Sequence, residues 1–425
     1  MLRAYKQVVV LFLIAACGCL ARSQDSAPVN PFSLHDGETV VFYGDSITAQ
    51  RFYTRFVEDF VLTRYPALRV QFVNAGVPGD TTYGGYAGAM AERVGRDVAP
   101  YHPNMITMML GMNDGGYGYT PIPVVLANFD KGYDALLAAL HEAAPNAAFT
   151  FINPTPYDEI THGTEFPGYE GIVSQLSDEV TKISKRPHDA ATKVMRADFH
   201  EPVLKALKHA STAFPQLAPL LIPDRIHPAE TTHWIMAAAL LRAWHVDPAV
   251  SRVSLNADTP KILMSDRAAV TELHSSPTGI SWSELDEALP LPLDLNNAMT
   301  KVMLDASSVE DLDKELLQVE GLHEGQYQLL IDTKPIATFS AEQLKHGVNL
   351  ALQKTPMLDQ ARRVDYLEER RAQLDMSRFI LSAEVKQEKN TQLAEDGLRE
   401  AQQELDTTMR AKLMPKPHSF ELRRQ

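Results

Sequence analysis

The sequence of 425 residues contains only two cysteines, Cys17 and Cys19, and both lie within its first twenty residues. A disulfide framework, a cysteine-bound metal and a catalytic thiolate are therefore excluded from the rest of the chain. The stability of that remainder must come from packed side chains. A hydrophobic fraction of 45% is enough for more than one core.

Positive charge is also scarce, with 40 Lys and Arg residues against 54 Asp and Glu residues and a formal net charge of -14. Proteins that bind nucleic acids rely on clustered Lys and Arg side chains to neutralise phosphates. We therefore exclude a nucleic acid as a partner. An acidic surface also disfavours binding to an anionic membrane surface.

Long hydrophobic runs are absent too, because the apolar run from Val8 to Ala21 is shorter than the roughly 20 residues that span a membrane. This run follows basic Arg3 and Lys6 and precedes Ala21-Arg22-Ser23, which has the small-x-small pattern of an export cleavage site. We expect residues 1–23 to be a signal peptide, so that the mature chain starts at Gln24. We also expect a periplasmic or extracellular location without a membrane span.

A second interpretation of the same segment stays open. Ile14-Ala15-Ala16-Cys17 resembles the lipobox of bacterial lipoproteins. In that case Cys17 would become the acylated first residue and anchor the protein to a membrane by a lipid.

Residues from Glu38 to about His245 alternate short apolar runs with amphipathic stretches, which predicts an α/β fold with a mostly parallel sheet. The expected strands are β-branched or aromatic runs that end in Gly, Asn or Pro: Thr39–Tyr43, Val70–Val73, Met105–Leu110 and Ala148–Ile152. Apolar residues at helical spacing predict helices between them: Phe52, Phe56, Val57, Phe60 and Val61 after the first strand, and Leu136, Leu137 and Leu140 before the fourth.

The pattern changes after Pro248. Alternation over Tyr327–Ile331 and Ile336–Phe339, with a turn between them, predicts a hairpin, and Ser340 with Gln343 predicts a capped helix that Gly347 ends. Dense charge with good helix formers predicts two or more long, solvated helices between Thr355 and Lys412. We therefore expect a main domain over 24–250, a small β-rich accessory region over 251–352 and a charged helical tail over 353–425.

Three loops at the expected strand ends contain polar or glycine-rich motifs. The first strand continues into Gly44-Asp45-Ser46-Ile47-Thr48, which would hold the Ser46 hydroxyl at the carboxyl edge of the sheet, where such folds bind ligands. The second ends in Asn74–Thr81, where Gly76 and Gly79 can leave a backbone amide free. The third ends in a loop with Asn113. Each motif taken alone also fits a structural role, as a serine helix cap or an ordinary turn.

A fourth motif, Pro223-Asp224-Arg225-Ile226-His227-Pro228, precedes a helix that carries Trp234, Ile235, Ala238, Leu241 and Trp244. We expect Pro228 at the first helical position, which leaves the His227 ring free of the helix. Asp224 can orient that ring, and its other nitrogen can accept a proton from Ser46. The alternative is a capping aspartate beside a surface histidine.

These four motifs in this order resemble the SGNH (GDSL-type) hydrolase family, in the branch whose first motif is Gly-Asp-Ser-Ile-Thr. The resemblance covers about residues 38–246 and implies a three-layer α/β/α, flavodoxin-like domain. It implies a Ser46 nucleophile, a His227 base held by Asp224, and an oxyanion hole formed by Ser46, Gly79 and Asn113. We prefer Gly79 to Gly76 because the family places its donor in the Gly-Asp-Thr stretch. The Gly-x-Ser-x-Thr motif differs from the Gly-x-Ser-x-Gly elbow of α/β-hydrolases.

The resemblance implies a secreted serine esterase that works through an acyl-enzyme on a small-molecule or polysaccharide ester. Tyr117, Tyr119, Tyr83 and Tyr86 would suit stacking on sugar rings, which favours a short acyl group such as acetyl on a carbohydrate. A lipid or lysophospholipid esterase and a non-catalytic carbohydrate-binding module remain alternatives.

We expect no cofactor, because hydrolysis by a serine route needs none. We also expect no metal, because the sequence contains no His-Glu-x-x-His motif.

Overall fold

A five-stranded parallel sheet is the centre of the first half of the chain in the computed structural model, which describes residues 32–163, 165–187, 192–384 and 389–425. The expected signal peptide over 1–23 and the expected lipid attachment at Cys17 lie outside the described residues. The strands of this half are β1 (Thr39–Gly44), β2 (Gln71–Gly76), the short β3 (Gly84–Gly85) and β4 (Gly88–Ala89), β5 (Met105–Met109), β6 (Ala148–Asn153) and β7 (Val194–Asp198).

The parallel sheet has the order β2-β1-β5-β6-β7, the strand order of flavodoxin-like folds. Its helices are α1 (Ser46–Ala49), α2 (Phe52–Arg64), α3 (Met90–Asp97), α4 (Ile122–Ala143), α5 (Tyr169–Ile183), α6 (His200–Ala213) and α7 (Glu230–Ala243). Helix α2 packs on α7 and α7 on α6, whereas α3 packs on α4 and α4 on α5. The expected three-layer α/β/α architecture is confirmed.

The parallel sheet contains one strand that the sequence analysis did not identify. Strand β7 lies at the edge of the sheet, and its exposed Arg196 alternates with buried Met195 and Ala197. That half-polar pattern is much weaker than the continuous apolar runs of the central strands.

The start of α7 also differs from the expectation. The helix begins at Glu230 rather than at Pro228, because the Ala229 N–H donates to the Leu221 carbonyl over 2.9 Å and holds this residue in an extended conformation.

The second half of the chain is built mainly from two further sheets. Its strands are β8 (Ala249–Asn256), β9 (Lys261–Asp266), β10 (Ala268–Ser276), β11 (Gly279–Asp286), β12 (Lys314–Glu320), β13 (Gln326–Ile331), β14 (Lys334–Ser340), β15 (Val348–Asn349) and β16 (His418–Arg424). The sheet orders are β10-β11-β16-β13-β14 and β15-β12-β8-β9. Both sheets contribute to a second hydrophobic core, in which Trp282 stacks on Phe420.

The expected hairpin is present as β13 and β14, and the short helix after it has the expected capping box. The Ser340 hydroxyl accepts from the Gln343 N–H over 3.1 Å, and the Gln343 side chain accepts from the Ser340 N–H over 2.8 Å. The helices of this half are α8 (Ala298–Ala306), α9 (Ala341–His346), α10 (Pro356–Glu384) and α11 (Lys389–Leu413). Short 3-10 helices span Ala99–Tyr101, Gly116–Gly118, Ala218–Leu220, Val309–Leu312 and Leu350–Leu352.

The segment 353–425, expected to be a charged helical tail, ends instead in strand β16, which pairs with β11 and β13. Phe420 and Leu422 alternate with polar residues there, which is a strand pattern within a charged sequence. Helix α10 is not wholly solvated either, because it packs against α2 and buries Leu358, Ala361 and Val364.

A segment of the expected accessory region also contributes to the first core. Leu291, Leu293, Val302 and Met303 are buried together with the side chains of the parallel-sheet half. In the part of the chain that the structure describes, no helix is both long and apolar enough to cross a membrane.

Candidate active site

The carboxyl ends of three neighbouring strands meet at one edge of the parallel sheet. Gly44, the last residue of β1, is in register with Gly76 of β2 and with Met109 of β5. Glycine is required at Gly44, because a Cβ atom there would lie 2.1 Å from the Thr48 hydroxyl oxygen. The chain can therefore turn directly from β1 into α1, and the loops that contain Ser46, Gly79 and Asn113 start from the same edge.

Ser46 is the first residue of α1 and is partly exposed. Asp45 precedes it as the helix N-cap, and its buried carboxylate accepts from the Ile47 N–H over 2.9 Å. The Ser46 N–H donates to no other group among the residues that the structure describes. A substrate oxygen at this point could therefore accept a hydrogen bond from it.

His227 and Asp224 complete a hydrogen-bonded chain with Ser46. The distance from Ser46 Oγ to His227 Nε2 is 2.8 Å, and the distance from His227 Nδ1 to Asp224 Oδ2 is 2.7 Å. A carboxylate can only accept, so Nδ1 carries the ring proton and Nε2 accepts from the serine hydroxyl. This arrangement can remove a proton from Ser46 and return it to a leaving group.

Asp224 is fixed by the backbone as well as by the ring. Its Oδ1 atom accepts from the N–H groups of Ile226 and His227, over 3.0 and 2.7 Å. Partial burial alone would raise the pKa of Asp224, but the hydrogen bonds from His227 and Ile226 outweigh it and hold the pKa below the usual value. Asp224 therefore stays ionised and can stabilise a positively charged His227 ring.

Gly79 and Asn113 lie beside one another, because Asn113 Nδ2 donates to the carbonyl of Asp80 over 2.9 Å. Gly79 adopts φ +72°, is exposed, and donates its N–H to no other described group. The N–H of Gly76 is instead used by the Asn74 side chain at 3.1 Å, and Gly76 packs against the backbone of α1. The geometry thus favours Gly79 over Gly76 as a donor to a ligand.

Tyr117 orients the Asn113 side chain. Its hydroxyl donates to Asn113 Oδ1 over 3.1 Å, which identifies the opposite end of the amide as the Nδ2 group. One N–H of that group is used by Asp80, and the other is available to a substrate. The sequence does not indicate this contact, because the Tyr117 side chain reaches Asn113 only with a left-handed Tyr117 backbone, at φ +53°.

Three carboxylates lie beneath these loops, of which Asp45 and Asp80 are buried and Asp114 is partly buried. Burial raises the pKa of Asp45 to about 7 and that of Asp114 to about 6, with smaller contributions from neighbouring carboxylates. Burial also raises the pKa of Asp80, against the effect of its salt bridge to Arg93. Asp114 holds the loop after Gly79, accepting from the Thr82 N–H over 2.9 Å and from its hydroxyl over 2.8 Å.

Two of the four tyrosines predicted for sugar stacking present open rings. Tyr119 is 84% exposed and Tyr86 is 73% exposed, and Cδ1 of Tyr86 lies 3.9 Å from the point where a side chain on Gly79 would begin. Tyr83 is held by a 2.7 Å hydrogen bond to the Asn128 carbonyl, and Tyr117 stacks on Tyr169.

Across 32–425, apart from the three gaps in the described chain, no three His, Asp or Glu side chains are grouped in a way that could hold a metal ion. One histidine near this site, His233, lies outside the four sequence motifs. It lies fully buried on α7, beside the first turn of α2 and the residue after His227.

The chain is similar to known hydrolases over its parallel-sheet half. The model of the GDSL-like lipase/acylhydrolase family matches residues 42–235. An acetylxylan esterase from Geobacillus stearothermophilus is 27% identical over 222 residues, which are 48% of this chain and 93% of that protein.

Solved structures are similar over different lengths of the chain. A gut microbial diltiazem-metabolizing enzyme has a TM-score of 0.79 and 23% identity, over 93% of this chain and 100% of that one. That likeness is one of fold, and it extends through the C-terminal sheets. The crystal structure of an acetylxylan esterase from Geobacillus stearothermophilus has a TM-score of 0.41 and 22% identity, over 51% of this chain and 98% of that one.

Proposed function

We propose that this protein hydrolyses esters through an acyl-enzyme on Ser46, because residues 42–235 belong to the GDSL-like lipase/acylhydrolase family and the protein is a carboxylic ester hydrolase. The observation that carries the proposal is the unbroken chain of hydrogen bonds from Ser46 Oγ through His227 to Asp224, at 2.8 and 2.7 Å.

In the first half of the reaction, His227 Nε2 takes the hydroxyl proton as Ser46 Oγ attacks the ester carbonyl. The negative oxygen of the tetrahedral intermediate accepts hydrogen bonds from the N–H groups of Ser46 and Gly79 and from Asn113 Nδ2. Protonated His227, stabilised by Asp224, then gives its proton to the leaving alcohol oxygen, and the acyl group remains on Ser46.

In the second half, a water molecule replaces the alcohol and His227 removes one of its protons. The resulting hydroxide attacks the acyl carbonyl, and a second tetrahedral intermediate forms at the same three donors. Its collapse breaks the bond to Ser46 Oγ, which recovers its proton from His227. The carboxylic acid leaves and the enzyme returns to its starting state.

For the substrate, we propose a short acyl group such as acetyl on a carbohydrate. The similarity to an acetylxylan esterase supports this choice. The exposed rings of Tyr86 and Tyr119 support it as well, because open aromatic faces near a site can stack on sugar rings.

Initial rates on p-nitrophenyl acetate, butyrate and octanoate and on acetylated xylan test this substrate class. We expect the acetate to be turned over fastest and acetylated xylan to release acetate. Tyr86→Ala should raise KM for acetylated xylooligosaccharides while leaving KM for p-nitrophenyl acetate unchanged, since the small ester has no sugar to stack. A preference for octanoate would favour a lipid esterase, and binding of xylan without turnover would favour a carbohydrate-binding module.

We also propose that residues 1–23 direct export. The basic residues and apolar run at the N-terminus support this proposal. N-terminal sequencing of protein recovered from the producing cells should begin at Gln24, whereas a lipid-modified Cys17 at the N-terminus would establish the anchored form.

A further inference from the structure

A fully buried histidine lies between the two chain segments that supply Ser46 and His227. His233 is in the first turns of α7, and its imidazole ring makes hydrogen-bond contacts at both nitrogens. Nδ1 lies 3.2 Å from the backbone nitrogen of Tyr53, and Nε2 lies 3.1 Å from both the Gln50 side-chain oxygen and the Pro228 carbonyl. All three partners belong to segments next to the proposed catalytic residues.

These contacts determine the tautomer of His233. The Tyr53 N–H can only donate, so Nδ1 must accept; the Pro228 carbonyl can only accept, so Nε2 must carry the proton. Complete burial lowers the pKa of His233 to about 3, which keeps the ring neutral. A neutral ring with this tautomer satisfies every contact at once.

The partners of His233 link it to Ser46 on one side. Gln50 is the C-cap of α1, the helix that begins at Ser46, and Tyr53 lies in the first turn of α2. The Tyr53 ring is parallel to the imidazole, with centroids 6.0 Å apart, and the Tyr53 hydroxyl lies 2.9 Å from the Thr48 hydroxyl within α1. The short helix α1 is thereby tied to α7 at two points.

On the other side, Pro228 directly follows His227 in the chain. A hydrogen bond to its carbonyl restrains the backbone at the point where the catalytic loop enters α7. No other described residue hydrogen-bonds this carbonyl.

From this geometry we propose that His233 is a positioning residue that fixes the separation of Ser46 and His227. It contacts neither the substrate nor the reacting atoms. The 2.8 Å distance between Ser46 Oγ and His227 Nε2 is the quantity that it sets. The inference rests on the proposed function, because it assigns His233 a role in the reaction that Ser46 and His227 carry out.

The test compares His233→Phe, which keeps the ring volume but removes both hydrogen bonds, with His233→Gln, whose amide can still donate towards the Pro228 carbonyl. His200→Phe is the matched control, because His200 is buried on α6 and has no hydrogen bond to either catalytic segment in the described structure. Initial rates on p-nitrophenyl acetate are measured across pH, and kcat is normalised to the folded fraction given by thermal unfolding.

We expect His233→Phe to lower kcat by about tenfold to a hundredfold with KM nearly unchanged, since small displacements of catalytic groups have effects of this size. The lower pH limb of kcat/KM, which reports the free catalytic base, should move. His233→Gln should recover part of the rate, and His200→Phe should keep the wild-type kcat and pH profile. A buried residue with only a structural role would change stability and leave the pH limb in place.

Two outcomes are informative in opposite ways. A folded His233→Phe enzyme with wild-type kcat and pH profile, beside an inactive Ser46→Ala enzyme, overturns this inference and leaves the proposed function intact. A Ser46→Ala enzyme that retains wild-type activity overturns the proposed function, and this inference with it.

Discussion

Charged and polar side chains are arranged differently in two regions of the molecule, the candidate active site and the contact between α2 and α10. In the active site the groups form a single line, in which each acceptor meets a donor: Ser46, then His227, then Asp224. Between α2 and α10, carboxylates outnumber cations. Glu58 and Asp59 on α2 lie against Asp365 and Glu368 on α10.

Two arginines are shared among those four carboxylates. Arg371 forms salt bridges to Glu58 and, at 2.6 Å, to Glu368, while Arg55 lies 3.6 Å from Asp365 and pairs more closely with Glu230. Neither oxygen of Asp59 receives a hydrogen bond from a donor in the described chain.

Burial is the main cause of the high pKa values in this contact. Burial and the facing Asp365 raise the pKa of Asp59 well above its usual value, against the effect of Arg55. The pKa of Glu58 is raised in the same way by burial and by Glu368, against Arg371.

The difference between the two regions shows how hydrogen-bond partners affect the pKa of a carboxylate. One-to-one hydrogen bonding keeps the Asp224 pKa low and its charge available to the His227 ring, whereas burial and crowding leave Glu58, Asp59 and Asp365 costly to ionise. Removing a polar group should therefore reduce activity in the first region and increase stability in the second.

The largest effect among the following variants is expected for Asn113→Ala, which removes the proposed oxyanion donor from the candidate active site. We expect kcat to fall by about 10²–10³, the usual loss for one such donor. Steady-state kinetics on p-nitrophenyl acetate measure it, with KM expected to change little. A variant with the wild-type kcat would show that Asn113 does not contact the developing charge.

A smaller loss is expected for Tyr117→Phe, which removes only the hydroxyl that holds Asn113 Oδ1. One neutral hydrogen bond contributes about 1 kcal/mol, which corresponds to roughly a fivefold decrease in kcat. The double variant Tyr117→Phe, Asn113→Ala should be no slower than Asn113→Ala alone, since Tyr117 acts through that amide. Additive losses in this cycle would contradict the assignment.

In the contact between α2 and α10, removing a charged group is expected to increase stability. Asp59 has a raised pKa in the folded protein, so its contribution to stability is fully present below about pH 4 and is lost as the pH rises through the folded value. Asp59→Asn never ionises, and its advantage in Tm over the wild type should grow from pH 5 to pH 8 without a change in kcat. The exposed Asp258→Asn is the control that should show no such trend. A disadvantage that grows with pH would contradict the description of this contact.

The smallest change in stability is expected for Asp45→Asn. Asp45 shares a feature with each region, because it lies in the motif that contains Ser46 but is buried like Asp59. Asparagine caps helices as well as aspartate does. The wild-type pKa of about 7 means that stability from this group is lost between about pH 4 and 7, so the variant should gain in Tm relative to the wild type over that range. Thermal unfolding at pH 5, 6, 7 and 8 measures it. A difference in Tm between variant and wild type that stays constant from pH 5 to pH 8 would contradict the raised pKa of Asp45.

The parallel sheet and the proximity of Ser46, His227 and Asp224 could be predicted from the sequence because their signals are local. Runs such as Val40-Val41-Phe42 specify buried strands by themselves, and Ser46 and His227 lie directly at the ends of predicted elements. The resemblance to a known family then assigned roles that spacing alone left open.

The remaining features depend on contacts between distant residues. The pairing of β16 with β11 and β13 joins segments more than eighty positions apart, and its charged sequence resembles the preceding helices. The docking of α10 depends on Arg371 meeting Glu58, although both charges look solvated in sequence. The contact of Tyr117 with Asn113 depends on a left-handed backbone that the sequence does not indicate.

Mass spectrometry of enzyme quenched during turnover of p-nitrophenyl acetate tests the proposal that Ser46 carries the acyl group. We expect one added acetyl group on the peptide that contains Ser46, and neither acetylation nor turnover in Ser46→Ala. An acetyl group on a different residue, or a Ser46→Ala enzyme that turns over at the wild-type rate, would contradict it.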